Sequence, residues 1–148
     1  MSQDLSVPLP RPLLDKNDLE KILYDGFQDF GKEIPQIDLT LNKGADINGY
    51  VCLYYMNTQL FCNYLISRFD VSVTEHESYE YLCMLTCRGN WLLTYMTAYC
   101  FIKKFNSFAI DDNGAIPDDK GCHKYTLAEI KKVIFDCNLD TLPSTNNN

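Results

Sequence analysis

Apolar residues recur at helical spacing along much of this chain. In residues 17–30 they fall on one helical face, at Leu19, Ile22, Leu23, Phe27 and Phe30. Residues 50–69 carry a similar set at Leu53, Leu60, Phe61, Tyr64 and Leu65, and stripes of the same kind run through residues 75–88 and 126–137. The spacing therefore predicts four amphipathic helices, each with one polar side.

Three of these segments begin with a reciprocal capping pattern, in which a polar side chain caps the helix and an acid three residues later reaches back. The pairs are Asn17 with Glu20, Thr74 with Glu77, and Thr126 with Glu129. Between the segments, residues 37–41 alternate as Ile-Asp-Leu-Thr-Leu, which fits a short strand, a loop or a short helix equally well.

Residues 90–105 have a different pattern, because no charged side chain occurs between Arg88 and Lys103. A helix that is apolar nearly all round must be enclosed by other parts of the protein. Residues 89–102 would cover roughly 21 Å as a helix, which is too short for a hydrocarbon core of ~30 Å. We therefore predict a central helix over 90–105, with Asn90 as its cap and Trp91 largely buried.

Length and charge narrow the possible classes of protein. A chain of 148 residues with 46% apolar and 22% charged residues suits one globular domain. A net charge of −7 disfavours nucleic acid as a partner. We expect a flexible or extended lead over residues 1–16, an all-α domain over 17–142 and a disordered tail over 143–148.

The residues that could carry chemistry give weak patterns. Seven cysteines without a signal peptide predict reduced thiols in a cytoplasmic protein. A calcium loop starting at Asp111 fails, because Ile116 and Cys122 stand where Gly and Glu are needed. The His76-Glu77 pair resembles the start of a zinc-protease motif, but Glu80 replaces its second histidine. We expect no metal, no cofactor and no enzymatic activity.

A buried apolar helix that begins with Asn90-Trp91 resembles the Bcl-2 family of apoptosis regulators, in which Asn-Trp-Gly-Arg opens a helix of the bundle. Here Leu92-Leu93 follow instead of Gly-Arg. The resemblance implies a divergent viral member, of iridovirus or poxvirus type, acting in the host cytoplasm. It implies an anti-apoptotic protein that sequesters the BH3 helix of pro-apoptotic proteins such as Bim. No membrane anchor is expected, and a homodimer is left open.

The resemblance places the BH3-binding groove between helices 50–69 and 75–88. Its implied lining is Phe61, Tyr64, Leu65, Phe69, Tyr81, Met84, Leu85, Arg88, Asn90, Leu93 and Met96. Leu93 stands in place of the family's arginine, so Arg88 or Arg68 would have to supply that charge. Asn-Trp at a helix start also arises from capping plus a core aromatic, and each lining residue fits plain core equally well. The alternatives are a viral immune modulator of the same fold that binds host signalling proteins, and a thiol- or metal-dependent enzyme.

Overall fold

The structure is a computed structural model that describes residues 3–40, 46–56, 58–112, 114–117 and 124–145. These residues form seven strands and four α-helices. In chain order the elements are β1 (Leu5–Leu9), α1 (Lys16–Phe27), β2 (Gln36–Asp38), β3 (Val51–Tyr54), β4 (Phe61–Arg68), α2 (Val71–Thr74), β5 (Tyr81–Thr86), α3 (Leu92–Phe105), β6 (Ala109–Ile110), β7 (Lys124–Tyr125) and α4 (Leu127–Phe135). Short 3-10 turns at Gln28–Phe30 and Leu139–Thr141 follow α1 and α4.

The strands form one antiparallel sheet with the order β2-β3-β4-β5-β1-β6-β7. Strands β2 to β5 are neighbours in chain order, and the N-terminal strand β1 lies between β5 and β6. The longest pairing joins β4 to β5, from Asn63 opposite Thr86 to Arg68 opposite Tyr81. This β4–β5 pair forms the middle of the sheet.

The two faces of the sheet differ in burial. Along β4, Cys62, Tyr64 and Ile66 are buried, whereas Phe61 and Leu65 are half-exposed. We call the buried side the inner face and the opposite side the outer face. Helix α3 packs on the inner face, where the rings of Tyr64 and Phe101 meet edge to face with centroids 5.8 Å apart. The core therefore lies between the sheet and its helices.

The predicted central helix is confirmed as α3, in which 12 of 14 residues are buried. The sheet covers one side of it, and α1 and α4 pack on its other sides. The N-cap position is Trp91 and not Asn90, although Oδ1 of Asn90 accepts a hydrogen bond from the backbone N–H of Leu92 at 2.9 Å. Trp91, however, is only partly buried. Within the described ranges, no helix has the length and apolarity to cross a membrane.

The prediction of an all-α fold is wrong, and the resemblance to the Bcl-2 family is wrong with it. Residues 50–69 form β3 and β4, and residues 75–88 contain β5. Both faces of these strands carry apolar side chains, so the sequence does not show the alternation of apolar and polar residues that is typical of a strand. The apolar residues instead fall at spacings of three and four, as in a helix. The description as a viral apoptosis inhibitor rested on the helical bundle and has no support in this mixed α/β fold.

The capping predictions had mixed outcomes. The capping box of Thr126 and Glu129 is present at the start of α4, which confirms that helix. Helix α1 is confirmed too, but the carboxylate of Asp15 caps it rather than Asn17. Thr74 caps no helix, since it lies inside the four-residue α2 and is fully buried.

Within the described residues, both chain ends take part in backbone pairing, while residues 1–2 of the predicted lead and 146–148 of the predicted tail lie outside them. The lead over residues 1–16 contributes β1, whose residues Leu5, Val7 and Leu9 are fully buried. At the other end, the N–H of Thr145 donates to the carbonyl of Gly31 at 3.0 Å. In the ambiguous stretch 37–41, residues 37 and 38 belong to β2, and residue 41 lies outside the described residues.

Candidate functional site

A groove of about 930 Å³ lies on the outer face of the sheet. It runs over β4 and β5 and is bordered by the segment before β1 and by the turn that leads into α3. We call it the outer-face groove. Its lining residues are Gln3, Asp4, Tyr50, Phe61, Asn63, Tyr64, Leu65, Met84, Thr86, Cys87, Arg88, Gly89 and Trp91.

The strand register explains why the floor of the outer-face groove is apolar. Leu65 pairs with Met84, so their side chains are neighbours on the same face. Tyr50 directly precedes β3. Val51 pairs with Tyr64, so the same register places Tyr50 opposite Leu65. The side chain of Tyr50 is 45% exposed. Phe61 lies two positions along β4 from Asn63 on the same side. Apolar and aromatic side chains with exposed surface therefore lie at both ends of the floor, on either side of Asn63.

Polar groups occupy the middle and the rim of the groove. The Oδ1 atom of Asn63 is buried and accepts no hydrogen bond from the described part of the chain, an arrangement that costs ~1–3 kcal/mol. Burial raises the pKa of Asp4, and the nearby charges of Asp112 and Asp111 raise it further. Arg88 is exposed on the turn. The groove thus combines an apolar floor with one amide and a rim that carries both signs of charge.

The turn Cys87–Trp91 forms one wall of the groove and is held by local contacts. The thiol of Cys87 donates to the carbonyl of Asn90 at 3.5 Å. Gly89 has a φ of +85°, a conformation that residues with a side chain rarely adopt. The ring of Trp91 packs against Tyr95, with centroids 6.0 Å apart. The position of this wall therefore depends on the start of α3.

The thiols near the groove are poor nucleophiles. Burial raises the pKa of Cys87, and it raises the pKa of Cys62 to about 12. Because the thiolate is the reactive form, these groups are largely inert at neutral pH. His76 does not line the groove and instead stacks on Tyr79 with ring centroids 3.7 Å apart. In the part of the chain that the structure describes, no group of three His, Cys, Asp or Glu residues could hold a metal.

Some residues that the sequence assigned to a binding groove do come together here. Phe61, Tyr64, Leu65, Met84 and Arg88 all line the outer-face groove. They meet because β4 and β5 are neighbouring strands, not because two helices pack side by side. Tyr64 contributes little accessible surface, since it is only 1% exposed.

The other predicted site residues lie elsewhere. Leu85, Leu93 and Met96 are fully buried in the core. Phe69 and Tyr81 are half-buried but do not line the groove, and Asn90 is exposed in the turn before α3. The predicted groove between helices 50–69 and 75–88 therefore does not exist as such, because both segments are extended.

Sequence reasoning missed the polar part of the groove and its aromatic rim. Asn63 and Thr86 face each other across β4 and β5, a relation that only the strand register provides. Tyr50 and Trp91 precede β3 and α3, and the N-terminal residue Asp4 joins them through the pairing of β1 with β5. Residues 61–67 read Phe-Cys-Asn-Tyr-Leu-Ile-Ser and show no alternation of apolar and polar residues, so the sequence contains no clear signal for this strand.

Comparison of the chain with protein-family models, with curated proteins and with solved structures gives no match. The function has to be inferred from the outer-face groove and its chemistry.

Proposed function

We propose that this protein is a non-enzymatic binding protein that holds a short apolar segment of a partner protein in the outer-face groove. The observation that carries the proposal is the groove itself, in which half-exposed Phe61, Leu65 and Met84 flank a polar centre on the face opposite α3. Clefts lined by apolar and aromatic side chains with a few polar groups are typical of binding sites.

The size and the chemistry of the groove support a segment as its occupant. Its volume of about 930 Å³ falls at the upper end of the range for compact ligands, so several side chains fit in it. Phe61 and Trp91 offer the large aromatic surface that is enriched where binding energy concentrates. Arg88 on the rim would pair with an acidic group of the partner and fix its direction. The raised thiol pKa values described above favour binding over nucleophilic catalysis.

The BH3-helix function expected from the sequence is not carried forward. It required a groove between two helices, and the family's ion pair at the start of the central helix was not expected at the motif position, because Leu93 replaces the arginine. Leu93, which stands at that ion-pair position, is fully buried under other side chains. The partner is therefore proposed by chemistry alone, as a segment with two or three apolar side chains and an acidic residue.

A library of random short peptides displayed on phage tests the proposal. The full chain should enrich a family of peptides with shared apolar positions. The variant Leu65→Glu places a charge in the floor of the groove and should bind the enriched peptides at least tenfold more weakly, because a carboxylate would be desolvated there.

A matched control is Val73→Glu, which adds the same charge at a 47% exposed valine on α2, outside the groove. This control should bind as well as the unmodified chain. Failure to enrich any peptide, or equal binding by both glutamate variants, would refute the proposed function.

A further inference from the structure

Two cysteines meet at the end of the β4–β5 pairing. Asn63 lies opposite Thr86, and the same register carried one residue further places Cys62 opposite Cys87. Both side chains point to the inner face, as alternation from Tyr64 and Leu85 requires, and both cysteines are buried. Directly opposed residues of antiparallel strands have Cα atoms ~4.5–5.5 Å apart, inside the range of ~4.4–6.8 Å that a disulfide needs.

A third residue lies near both thiols. The hydroxyl of Thr94, on the first turn of α3, lies beside the sulfur atoms of both Cys62 and Cys87. It is fully buried and forms no well-aligned hydrogen bond in the described part of the chain. A disulfide between the neighbouring sulfurs would remove two weakly satisfied thiol groups from this pocket.

We propose that Cys62 and Cys87 form a disulfide-bond site, which an oxidant of the low-molecular-weight disulfide class closes. The Cys87 sulfur attacks oxidised glutathione as the thiolate, forms a mixed disulfide and releases one glutathione. The Cys62 thiolate then attacks the Cys87 sulfur and releases the second. Two protein thiols and one oxidised glutathione thus give one protein disulfide and two reduced glutathiones, which take up both protons.

Cys87 is the entry point because it lies in the turn beyond the end of β5 and keeps 9% of its surface exposed, whereas Cys62 is fully buried within the sheet. Burial raises the pKa of both thiols, so the reaction is slow at neutral pH. Its rate should rise about tenfold per pH unit from neutral to mildly alkaline pH, in proportion to the thiolate fraction. The product ties the turn Cys87–Trp91 to the start of β4. If the groove binds a partner segment, as proposed above, oxidation would fix one of its walls.

The test is incubation of the purified full chain with oxidised glutathione, followed by blocking of free thiols, tryptic digestion and mass spectrometry without reduction. The expected product links the peptide that ends at Arg68 to the peptide that ends at Arg88, two hydrogens lighter than their sum. Since each of these peptides holds a second cysteine, the variants Cys52→Ser and Cys83→Ala must retain the link. Cys87→Ser must abolish it.

Thermal unfolding gives a second measurement that needs no ligand of the groove. Closing the loop between Cys62 and Cys87 should raise the unfolding midpoint by about 5–10 °C, and reduction should reverse the shift. Cys87→Ser should show no shift. The proposal is overturned if the chain keeps its thiols under oxidation, or if the link survives in Cys87→Ser. Either result leaves the peptide-binding test unaffected.

Discussion

The packing of α1 on α3 predicts how much a substitution at Gly26 changes the free energy of unfolding. Gly26 lies in the contact between the two helices, where a Cβ atom would lie well inside contact distance of Cys100 Sγ and 3.0 Å from Cys100 Cα. A thiol can rotate away, but a backbone Cα atom can move only with its helix. Gly26→Ala therefore forces α1 and α3 apart by several tenths of an ångström.

Two opposing free-energy terms decide the result. Alanine gains ~1 kcal/mol over glycine inside a helix, because glycine loses more backbone freedom on folding. Overpacking a dense core costs ~3 kcal/mol at the upper end of its usual range, which suits a clash that includes backbone. We expect Gly26→Ala to lower the free energy of unfolding by ~2 kcal/mol and the midpoint temperature by ~6 °C.

Urea titration followed by circular dichroism measures this change. A matched control compares Lys21→Ala with Lys21→Gly at an exposed position of the same helix, where alanine should be ~1 kcal/mol more stable. Adding Cys100→Ala to Gly26→Ala removes the sulfur and should recover ~1 kcal/mol in a double-mutant cycle. If Gly26→Ala proves as stable as the unmodified chain, α1 does not pack on α3 in the way described.

Two further predictions concern buried polar groups and pH. Thr94→Val removes a buried hydroxyl that forms no well-aligned hydrogen bond with the described residues, and it should raise the free energy of unfolding by ~1 kcal/mol. Thr97→Val removes a 2.8 Å bond to a helix carbonyl and should lower it by ~0.5–1 kcal/mol in the same titration. The hydrogen bond from Arg11 holds the pKa of Asp18 below its usual value. This carboxylate therefore stabilises the fold above the pKa of the unfolded chain, and the contribution is lost as pH falls through the lower folded-state pKa. Thermal melts from about pH 6 to about pH 2 should show a smaller loss of midpoint for Asp18→Asn than for the unmodified chain; equal losses would count against the ion pair.

Helices were predictable where one physical signal was strong. The long uncharged run of α3 required enclosure on all sides, and α3 is buried nearly all round. The capping box of Thr126 and Glu129 fixed the start of α4 through two local hydrogen bonds. Signals of this kind depend on neighbouring residues alone, so the sequence carries them without knowledge of the fold.

The middle of the sheet was not predictable in the same way, because its outer face is apolar. Phe61 and Leu65 on the outer face combine with Leu60 and Tyr64 to give spacings of three and four residues, which imitate a helix. A strand with a polar outer face would have shown a clear period of two. The surface that we propose for binding is thus the feature that obscured the strands.

Strand β1 was missed for a different reason. Its alternation of Leu5, Val7 and Leu9 is regular, but a proline such as Pro8 is unusual inside a sheet. The structure shows why the proline is tolerated. Proline has no backbone N–H, and within the described residues β6 pairs with β1 at Ser6 and not at Pro8, so no ladder hydrogen bond to β6 is lost there. The carbonyl of Pro8 accepts a hydrogen bond from the hydroxyl of Ser107 at 2.6 Å.

The most direct test of the proposed function is a nuclear magnetic resonance titration of the full chain with a peptide enriched from the display library. The account predicts that amide shift changes concentrate along the floor and rim of the outer-face groove, at Phe61, Asn63, Leu65, Met84 and Arg88. The amide chemical shifts of α4, which packs on the other side of α3, should not change. Shift changes centred on α4, or spread evenly over the chain, would contradict the claim that the outer face of the sheet is the binding surface.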